Sequence, residues 1–308
     1  MRFSVYQESQ IGGRKMNQDR MGYSFTRDAL LLLLADGMGG HLHGEVAATI
    51  AMQTVGALFQ QQSTPYIKKP ERFLEDSFFA AHHEIHQHRT LHNLPETPRT
   101  TIVACLIQHN TAFWAHCGDS RLYWMRNGQI LARTRDHSRI ETLIAQGRAD
   151  PSERATHPDR NKLFNCLGAP NMPIVEISRR ASLQAGDIML LCSDGLWGAL
   201  PDHVLAQSLQ TNTIVRAVPE LISTALGISG KTSDNVTALA MMWESASSVT
   251  DINTITTNIL PLGALTTTIQ SPHSDEPEAA SFDETDIEKA IEEIRGAIEK
   301  SSRLTSRN

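Results

Sequence analysis

The hydrophobic and polar positions of this chain follow two patterns as far as residue 243. Asn127-Gly128 lies between two short apolar runs and predicts a tight hairpin turn. Hairpins join antiparallel strands, so the pattern indicates antiparallel sheets rather than a repeated parallel unit. The short apolar runs predict strands at residues 2–7, 29–35, 101–108, 111–117, 121–126, 129–133, 187–192 and 236–243.

Longer segments carry apolar residues every three or four positions and predict helices. Two of them, residues 44–60 and 70–89, follow one another between predicted strands. Two more are expected near residues 201–209 and 214–227. Because these helices must cover the faces of antiparallel sheets, we predict an α+β fold built as a layered sandwich.

Several predicted strands end on an aspartate beside a glycine. The run Leu30–Leu34 is apolar at every position, so the predicted strand must be buried on both faces. Asp36 therefore lies at the end of a strand that is anchored in a core. Gly37 allows the backbone to turn there and to approach a ligand closely. Asp194 and Asp119 occupy similar positions at the ends of later strands. We therefore expect several carboxylates to converge on one place.

Composition limits the classes of function. The 308 residues are 40% hydrophobic and 20% charged, as in ordinary globular proteins. A net charge of -6 without a basic stripe argues against nucleic-acid binding. The apolar runs are too short to span a bilayer, and the first residues lack the apolar core of a signal peptide. The four cysteines, which are Cys105, Cys117, Cys166 and Cys192, form no CxxC pair. Cys105, Cys117 and Cys192 lie in apolar strand-like segments, so we expect these three to be reduced core residues and the location to be cytoplasmic.

The pattern changes in two segments. Residues 138–180 are rich in charge and turns, which predicts a surface insertion between strands. Residues 244–283 are rich in Ser, Thr, Asn and Pro, which predicts a flexible linker. An isoleucine stripe predicts an amphipathic helix at 284–300, followed by a disordered tail at 301–308. This helix has two possible roles, packing on its own domain or binding a partner or a second copy.

Convergent carboxylates need a cation. They would repel one another and raise each other's pKa unless a metal neutralised them. No Cys or His stands among them at ligand spacing, and ligation by oxygen alone selects Mg²⁺ or Mn²⁺. Two such ions could activate a water for phosphoryl transfer. Arg14 precedes the first of these aspartates by five residues, and a guanidinium suits a phosphate. The candidate ligands are Asp19, Asp36, Asp119, Asp194 and Asp234.

These residues fall within an ordered set of motifs. The motifs and their order resemble those of the PPM family of metal-dependent protein Ser/Thr phosphatases, also called PP2C. The resemblance covers about residues 1–243. Each motif alone is weak, but the whole set in family order is specific. The motifs are Arg14-Lys15-Met16-Asn17-Gln18-Asp19, Asp36-Gly37-Met38-Gly39-Gly40-His41, Arg99-Thr100-Thr101, Gly118-Asp119-Ser120-Arg121, Asp136-His137-Ser138, Ser193-Asp194-Gly195 and Asp234-Asn235.

The resemblance implies a four-layer α-β-β-α sandwich with a binuclear Mn²⁺ or Mg²⁺ centre at one end. Asp36 would bridge both ions, and the Gly37 carbonyl would complete one coordination shell. Asp194 and Asp234 would hold the first ion, and Asp19 would support the second through water. Phosphoserine and phosphothreonine would be hydrolysed by direct attack of a metal-bridging hydroxide.

The resemblance also implies further roles. Asp119 with Asp194 would form the third-metal site of bacterial members, and Arg14 would bind the substrate phosphate. Residues 138–180 match the flap beside the site, and 161–168 resemble a recurring pattern within it. Phosphorylated proteins are the implied partners, together with a cognate Ser/Thr kinase and its substrates.

Two positions depart from the family pattern. Met38 stands where some members carry a histidine that is proposed to protonate the leaving group, so the general acid is either His41 or a metal-bound water. Gln18 stands where many members carry an acid, so metal affinity is expected to be modestly lower. A member that had lost its metal carboxylates would be a catalytically silent binding module, which is the alternative function.

Some polar residues are assigned structural roles. Thr100 and Thr101 are expected to begin a strand, and Asp136 with His137 to support the base of the flap. A histidine run on the second helix is interpreted as a solvated face rather than a metal site: His82, His83, His86 and His88.

Overall fold

The computed structural model describes residues 1–38, 43–150, 153–154, 157–159 and 162–245. Over these residues the strands are β1 (Arg2–Gln10), β2 (Asp19–Phe25), β3 (Ala29–Asp36), β4 (Ile102–Gln108), β5 (Thr111–Cys117), β6 (Arg121–Arg126), β7 (Gln129–Arg133), β8 (Glu176–Ile177), β9 (Ala181–Ser182), β10 (Ile188–Cys192) and β11 (Val236–Ser245). The helices are α1 (Gly44–Gln62), α2 (Pro70–Leu91), α3 (Arg139–Ala145), α4 (Asp194–Trp197), α5 (Asp202–Thr211) and α6 (Ile214–Ser229).

The strands form two antiparallel sheets. One has the order β1-β11-β10-β6-β7, and the other has the order β2-β3-β4-β5-β8, with β9 also paired to β5. The predicted hairpin joins β6 to β7 through Asn127 and Gly128, which both have positive φ. In the second sheet, Asp19 lies directly opposite Asp36 across β2 and β3.

The leucine run of β3 lies between two cores. Leu31 and Leu33 pack with α1 and α2 on one face of their sheet. Leu30, Leu32 and Leu34 pack between the two sheets. Successive side chains of a strand point to opposite faces, so an unbroken apolar run is what two buried faces require.

The first sheet is covered on its outer face by another helix pair. Leu190 of β10 packs there with Leu205 of α5 and Leu221 of α6. The layers are therefore α1 and α2, sheet, sheet, then α5 and α6, which confirms the predicted α-β-β-α sandwich. Among the described helices, none combines the length and apolar character needed to cross a bilayer. All four cysteines are buried and free, as predicted for Cys105, Cys117 and Cys192.

Several elements differ from the sequence prediction. Strand β2 was not predicted, because it is an edge strand with few apolar residues and with Tyr23 exposed. Helix α3 lies inside the predicted insertion and is capped by Ser138, whose side chain accepts a hydrogen bond from the Glu141 amide. Strand β11 runs to Ser245, two residues beyond the predicted end of the domain. The rest of the predicted linker, the C-terminal helix and the tail lie outside the described residues.

The solvated histidine face is wrong for His82. This side chain is buried, and its Nδ1 accepts a hydrogen bond from the Gly168 amide at 3.2 Å. Burial, together with the neighbouring imidazoles of His86 and His83, lowers the pKa of His82 to about 4. His86 Nε2 lies 2.9 Å from the Ala169 carbonyl. The helix therefore uses these histidines to hold a turn within the segment predicted as the flap.

A buried ion pair supports the strands beneath the aspartates. Arg121 donates from Nε and Nη2 to the two oxygens of Asp136, both at 2.8 Å. Its guanidinium also lies 3.6 Å from the Trp197 ring centroid. Asp202 approaches the same guanidinium at 3.5 Å, but its side chain is 40% exposed. Asp136 is therefore the buried counter-ion of Arg121, in keeping with its predicted structural role.

We expect Asp136→Asn to lower the free energy of unfolding by about 3–5 kcal/mol, because it leaves a buried guanidinium uncompensated. The matched control is Asp202→Asn, which removes a half-exposed carboxylate and should cost about 1 kcal/mol or less. Urea denaturation of both variants measures the difference. Equal losses would contradict the assignment of Asp136 as the main counter-ion.

Candidate metal centre

The fold brings the five predicted aspartates together. Asp36 ends β3, Asp19 begins β2 opposite it, and Asp194 begins α4 directly after β10. Burial is the largest cause that raises the pKa of Asp36 well above its ordinary value. The remaining causes are the charges of the other four carboxylates, namely Asp19, Asp194, Asp119 and Asp234.

Asp19 carries an unsatisfied oxygen. Its Oδ2 accepts a hydrogen bond from Ser193 Oγ at 2.8 Å. Its Oδ1 is buried without a hydrogen-bond partner. Burial of this carboxylate raises its pKa. A buried carboxylate oxygen without a donor is costly in a protein, and a cation at that position would satisfy it.

These residues fit a hard divalent cation. The donors are carboxylate oxygens, which Mg²⁺ and Mn²⁺ prefer. Burial raises the pKa of Asp119 as well, followed by the charge of Asp194, while Arg121 opposes the shift. A bound cation would remove the repulsion that these shifts record. Both the unpaired Asp19 oxygen and the clustered charge therefore support a metal centre here.

Two threonines fix the backbone at the end of β3. Thr101 accepts a hydrogen bond from the Asp36 amide at 3.1 Å through its Oγ1, and its own amide donates to the Asp36 carbonyl at 2.9 Å. Thr100 Oγ1 donates to the same carbonyl at 2.9 Å. Thr101 Oγ1 also lies 2.6 Å from Ser120 Oγ, in the turn that carries Asp119. These threonines therefore hold two of the aspartates in register.

Gly37 is required for a close backbone approach. A Cβ at this position would lie 2.4 Å from the backbone of Gly44, at the start of α1. The Gly37 amide donates to the Gln18 carbonyl at 3.2 Å. The Gln18 side chain donates to Glu45 at 3.1 Å, so it is engaged with α1. His41, the predicted general acid, lies outside the described residues.

Arg14 is held beside the carboxylates by its loop. Its Nε and Nη2 donate to the two oxygens of Asp234 at 2.8 and 2.6 Å. Asn235 secures the loop, because its Nδ2 donates to the carbonyls of Ile11 and Met16 at 2.9 and 3.0 Å. The sequence placed Arg14 near the site, but it did not indicate the pairing with Asp234.

A second group of candidate ligands lies elsewhere among the described residues. The rings of His116 and His137 stack at 4.5 Å with an interplanar angle of 22°, and Glu176 lies 3.4 Å from His137 Nε2. His137 Nδ1 accepts from the amide of Gly118 at 3.2 Å and faces Asn165 Nδ2 at 2.6 Å. Its proton is therefore on Nε2, which leaves that atom no lone pair for a metal. Nearly parallel rings also cannot aim two lone pairs at one ion.

The carboxylate cluster opens into a cleft of about 350 Å³ that is lined in part by Arg14, Asp194 and Asp234. Two other clefts have larger volumes of about 440 and 460 Å³. Neither of these is lined by any of the five aspartates. The chemistry of the side chains, rather than the size of the cleft, therefore identifies the site.

Comparison with known proteins agrees with this geometry. The chain is 32% identical to the serine/threonine protein phosphatase PstP of Mycobacterium tuberculosis over 227 residues, which are 73% of this chain and 42% of PstP. It thus spans less than half of that relative. It is 28% identical to the serine/threonine phosphatase stp of Listeria innocua over 73% of this chain and 90% of the relative.

Solved structures show the same fold. The Stp1 phosphatase of Staphylococcus aureus superposes with a TM-score of 0.73 and 27% identity, over 80% of this chain and 96% of Stp1. The catalytic domain of PstP, solved with two manganese ions, gives a TM-score of 0.67 and 29% identity over 79% of this chain and 99% of that domain. A sequence model of protein phosphatase 2C matches residues 7–229. The chain therefore belongs to the protein phosphatase 2C family.

Proposed function

We propose that this protein is a metal-dependent protein serine/threonine phosphatase. The observation that carries the proposal is the convergence of five carboxylates, one with an unpaired buried oxygen, beside a guanidinium. Membership in the family supports it, as do relatives named serine/threonine phosphatases. The substrates are phosphoserine and phosphothreonine in proteins.

The aspartates are the proposed ligands of two or three Mn²⁺ or Mg²⁺ ions. Asp36 would bind both ions, and the Gly37 carbonyl would complete the shell of one. Asp194 and Asp234 would hold the first ion, and Asp19 would support the second. When bound, these ions supply Lewis acidity and a water activated at neutral pH. The third-metal role of Asp119 rests on its position in the same buried cluster.

Arg14 is the proposed phosphate-binding residue. Its planar guanidinium can donate two parallel hydrogen bonds to a phosphate, as it does to Asp234 in the structure. A cation that takes the Asp234 carboxylate would release these donors for the substrate. Met38 has no titratable group, so His41 or a water remains the proposed general acid.

The setting of the enzyme follows from the same proposal. Its partners would be phosphorylated proteins, including a cognate Ser/Thr kinase and the substrates of that kinase. The four buried free cysteines support a reducing compartment, for which we propose the cytoplasm. Association through the predicted helix at 284–300 is proposed from its isoleucine stripe alone.

We expect Asp36→Asn to reduce hydrolysis of a phosphothreonine peptide with Mn²⁺ by at least about 100-fold, since it removes a central charge of the metal site. EDTA should abolish the wild-type activity, and added Mn²⁺ should restore it. Near-wild-type turnover by Asp36→Asn would refute the proposal. A wild-type protein that binds Mn²⁺ in calorimetry but never turns over would be the silent binding module instead.

Arg14→Gln should raise KM for a phosphopeptide and lower kcat/KM by about 10–100-fold, the cost of roughly 1.5–3 kcal/mol for a charge-assisted pair. The same substitution should leave Mn²⁺ affinity unchanged or stronger, because it removes a competitor for Asp234. Calorimetry on the variant separates the two effects. Weaker Mn²⁺ binding would assign Arg14 to support of the metal site rather than to phosphate.

The raised pKa of Asp36 has a consequence for stability without metal. Below its ordinary pKa the group is protonated in both the folded and the unfolded state, and it costs nothing. As pH rises from the ordinary pKa toward the raised pKa of the folded state, the unfolded state ionises while the folded state stays protonated. The free energy of unfolding falls over this range, and the loss is complete above the raised pKa. The metal-free protein therefore has a lower free energy of unfolding at neutral pH than at acidic pH.

We expect Asp36→Asn to raise the Tm of the metal-free protein at about pH 8 and to change it little at about pH 4. Each kcal/mol of relief corresponds to about 2–4 °C for a domain of this size. With Mn²⁺ present the sign reverses, because the variant lacks a ligand. Calorimetric scans at both pH values, with and without Mn²⁺, measure this. A lower Tm for the metal-free variant at pH 8 would contradict the predicted repulsion.

A further inference from the structure

We propose that the cleft beside the carboxylates binds the peptide next to the phosphorylated residue, and that Ile228 selects an aliphatic side chain there. This inference rests on the proposed phosphatase function. It assigns a substrate preference to a residue that is neither a metal ligand nor the phosphate-binding arginine.

The position of the cleft supplies the first argument. Arg14, Asp194 and Asp234 of the candidate metal centre line the cleft, and Ile228 at the end of α6 also lines it. A phosphate bound at Arg14 would therefore place the adjoining residues of its own chain in the cleft. A peptide in extended conformation advances about 3.3 Å per residue, so the residues next to the phosphorylated one would extend along such a cleft.

The exposure of Ile228 supplies the second argument. Helix α6 buries an apolar stripe that includes Leu221 and Ala225. Ile228 comes seven positions after Leu221 and three after Ala225, so it lies on the same side of the helix as they do. Yet Ile228 is 64% exposed, whereas Leu221 is 3% exposed. The apolar stripe thus continues past the sheet and ends in the cleft.

The surroundings of Ile228 leave room for a ligand. Gly227 and Gly230 flank this turn, and a Cβ built on either one would meet no atom within 4 Å. Trp197 and Ala199 line the same cleft and extend its apolar wall. An aliphatic side chain placed there would be removed from water on several sides, which is the main source of affinity for such contacts.

The charges at the cleft favour an apolar occupant over an acidic one. Of the two arginines that line its described part, Arg14 is the proposed partner of the phosphate and Arg154 of the flap is paired with Glu141. A carboxylate on the substrate would have to compete with these partners. Burial against Ile228 requires no such exchange, so we assign this wall to an aliphatic residue.

The test compares Ile228→Asp with Val215→Asp. Both residues lie on α6 and are similarly exposed, at 64% and 57%, but Val215 is at the other end of the helix and does not line the cleft. Ile228→Val serves as the conservative variant. Each protein is assayed with Mn²⁺ on p-nitrophenyl phosphate and on two phosphothreonine peptides, with either leucine or glutamine at the two positions on each side.

The wild-type enzyme should prefer the leucine peptide by about 10-fold in kcat/KM, mainly through KM. Ile228→Asp should lose this preference while keeping its activity on p-nitrophenyl phosphate within about 2-fold. Val215→Asp and Ile228→Val should behave as the wild type.

Three results would overturn the inference: a wild type without preference, a preference that survives Ile228→Asp, or an equal loss on p-nitrophenyl phosphate. The last would show that the substitution damages the site itself. A wild type that hydrolyses none of the substrates would instead refute the proposed phosphatase function, so the two failures are distinguishable.

Discussion

The repulsion among buried carboxylates at the end of β3 constrains the rest of the structure. Four other aspartates, which come from distant parts of the chain, are held where each raises the cost of ionising Asp36. The fold opposes this repulsion with two packed cores, one on each face of β3. It also fixes the Asp36 backbone through three hydrogen bonds with Thr100 and Thr101. The site is thus preorganised at the expense of local stability, as is common for metal sites.

Besides the buried Arg121–Asp136 pair, several small polar residues support the site. Ser193 binds Asp19, Asn235 holds the loop of Arg14, and Thr101 joins the Asp36 strand to the Asp119 turn. Each of these contacts crosses between elements. A small shift in one strand would therefore be transmitted to several of the aspartates at once.

The sequence predicted the parts of this molecule that depend on local pattern. Strands β4 to β7 were predicted within one residue at each end, because buried strands carry dense apolar runs. The order of the motifs indicated the aspartates that the fold brings together. Edge strand β2 was missed, since a strand that is exposed on one side has little apolar signal. The burial of His82 was missed because a helix pattern does not show which loop will cover it.

Long-range pairings lay beyond the reach of sequence reasoning. Arg14 and Asp234 are 220 positions apart, and Ser193 and Asp19 are 174 apart. Nothing in the neighbourhood of either residue encodes such a partner. The same holds for the stacked pair His116 and His137. The tautomer of His137 depends on the Gly118 amide and the Asn165 side chain, which come from two other segments.

Strand β11 enters its sheet between β1 and β10, although it is the last strand in the described chain. Asp234 and Asn235 stand at its beginning, so the loop of Arg14 has no anchor until this strand is in place. On a ribosome, the earlier strands emerge well before it. The candidate site is thus among the last parts of the domain to form, and a chain that is still being synthesised carries its aspartates separated rather than clustered.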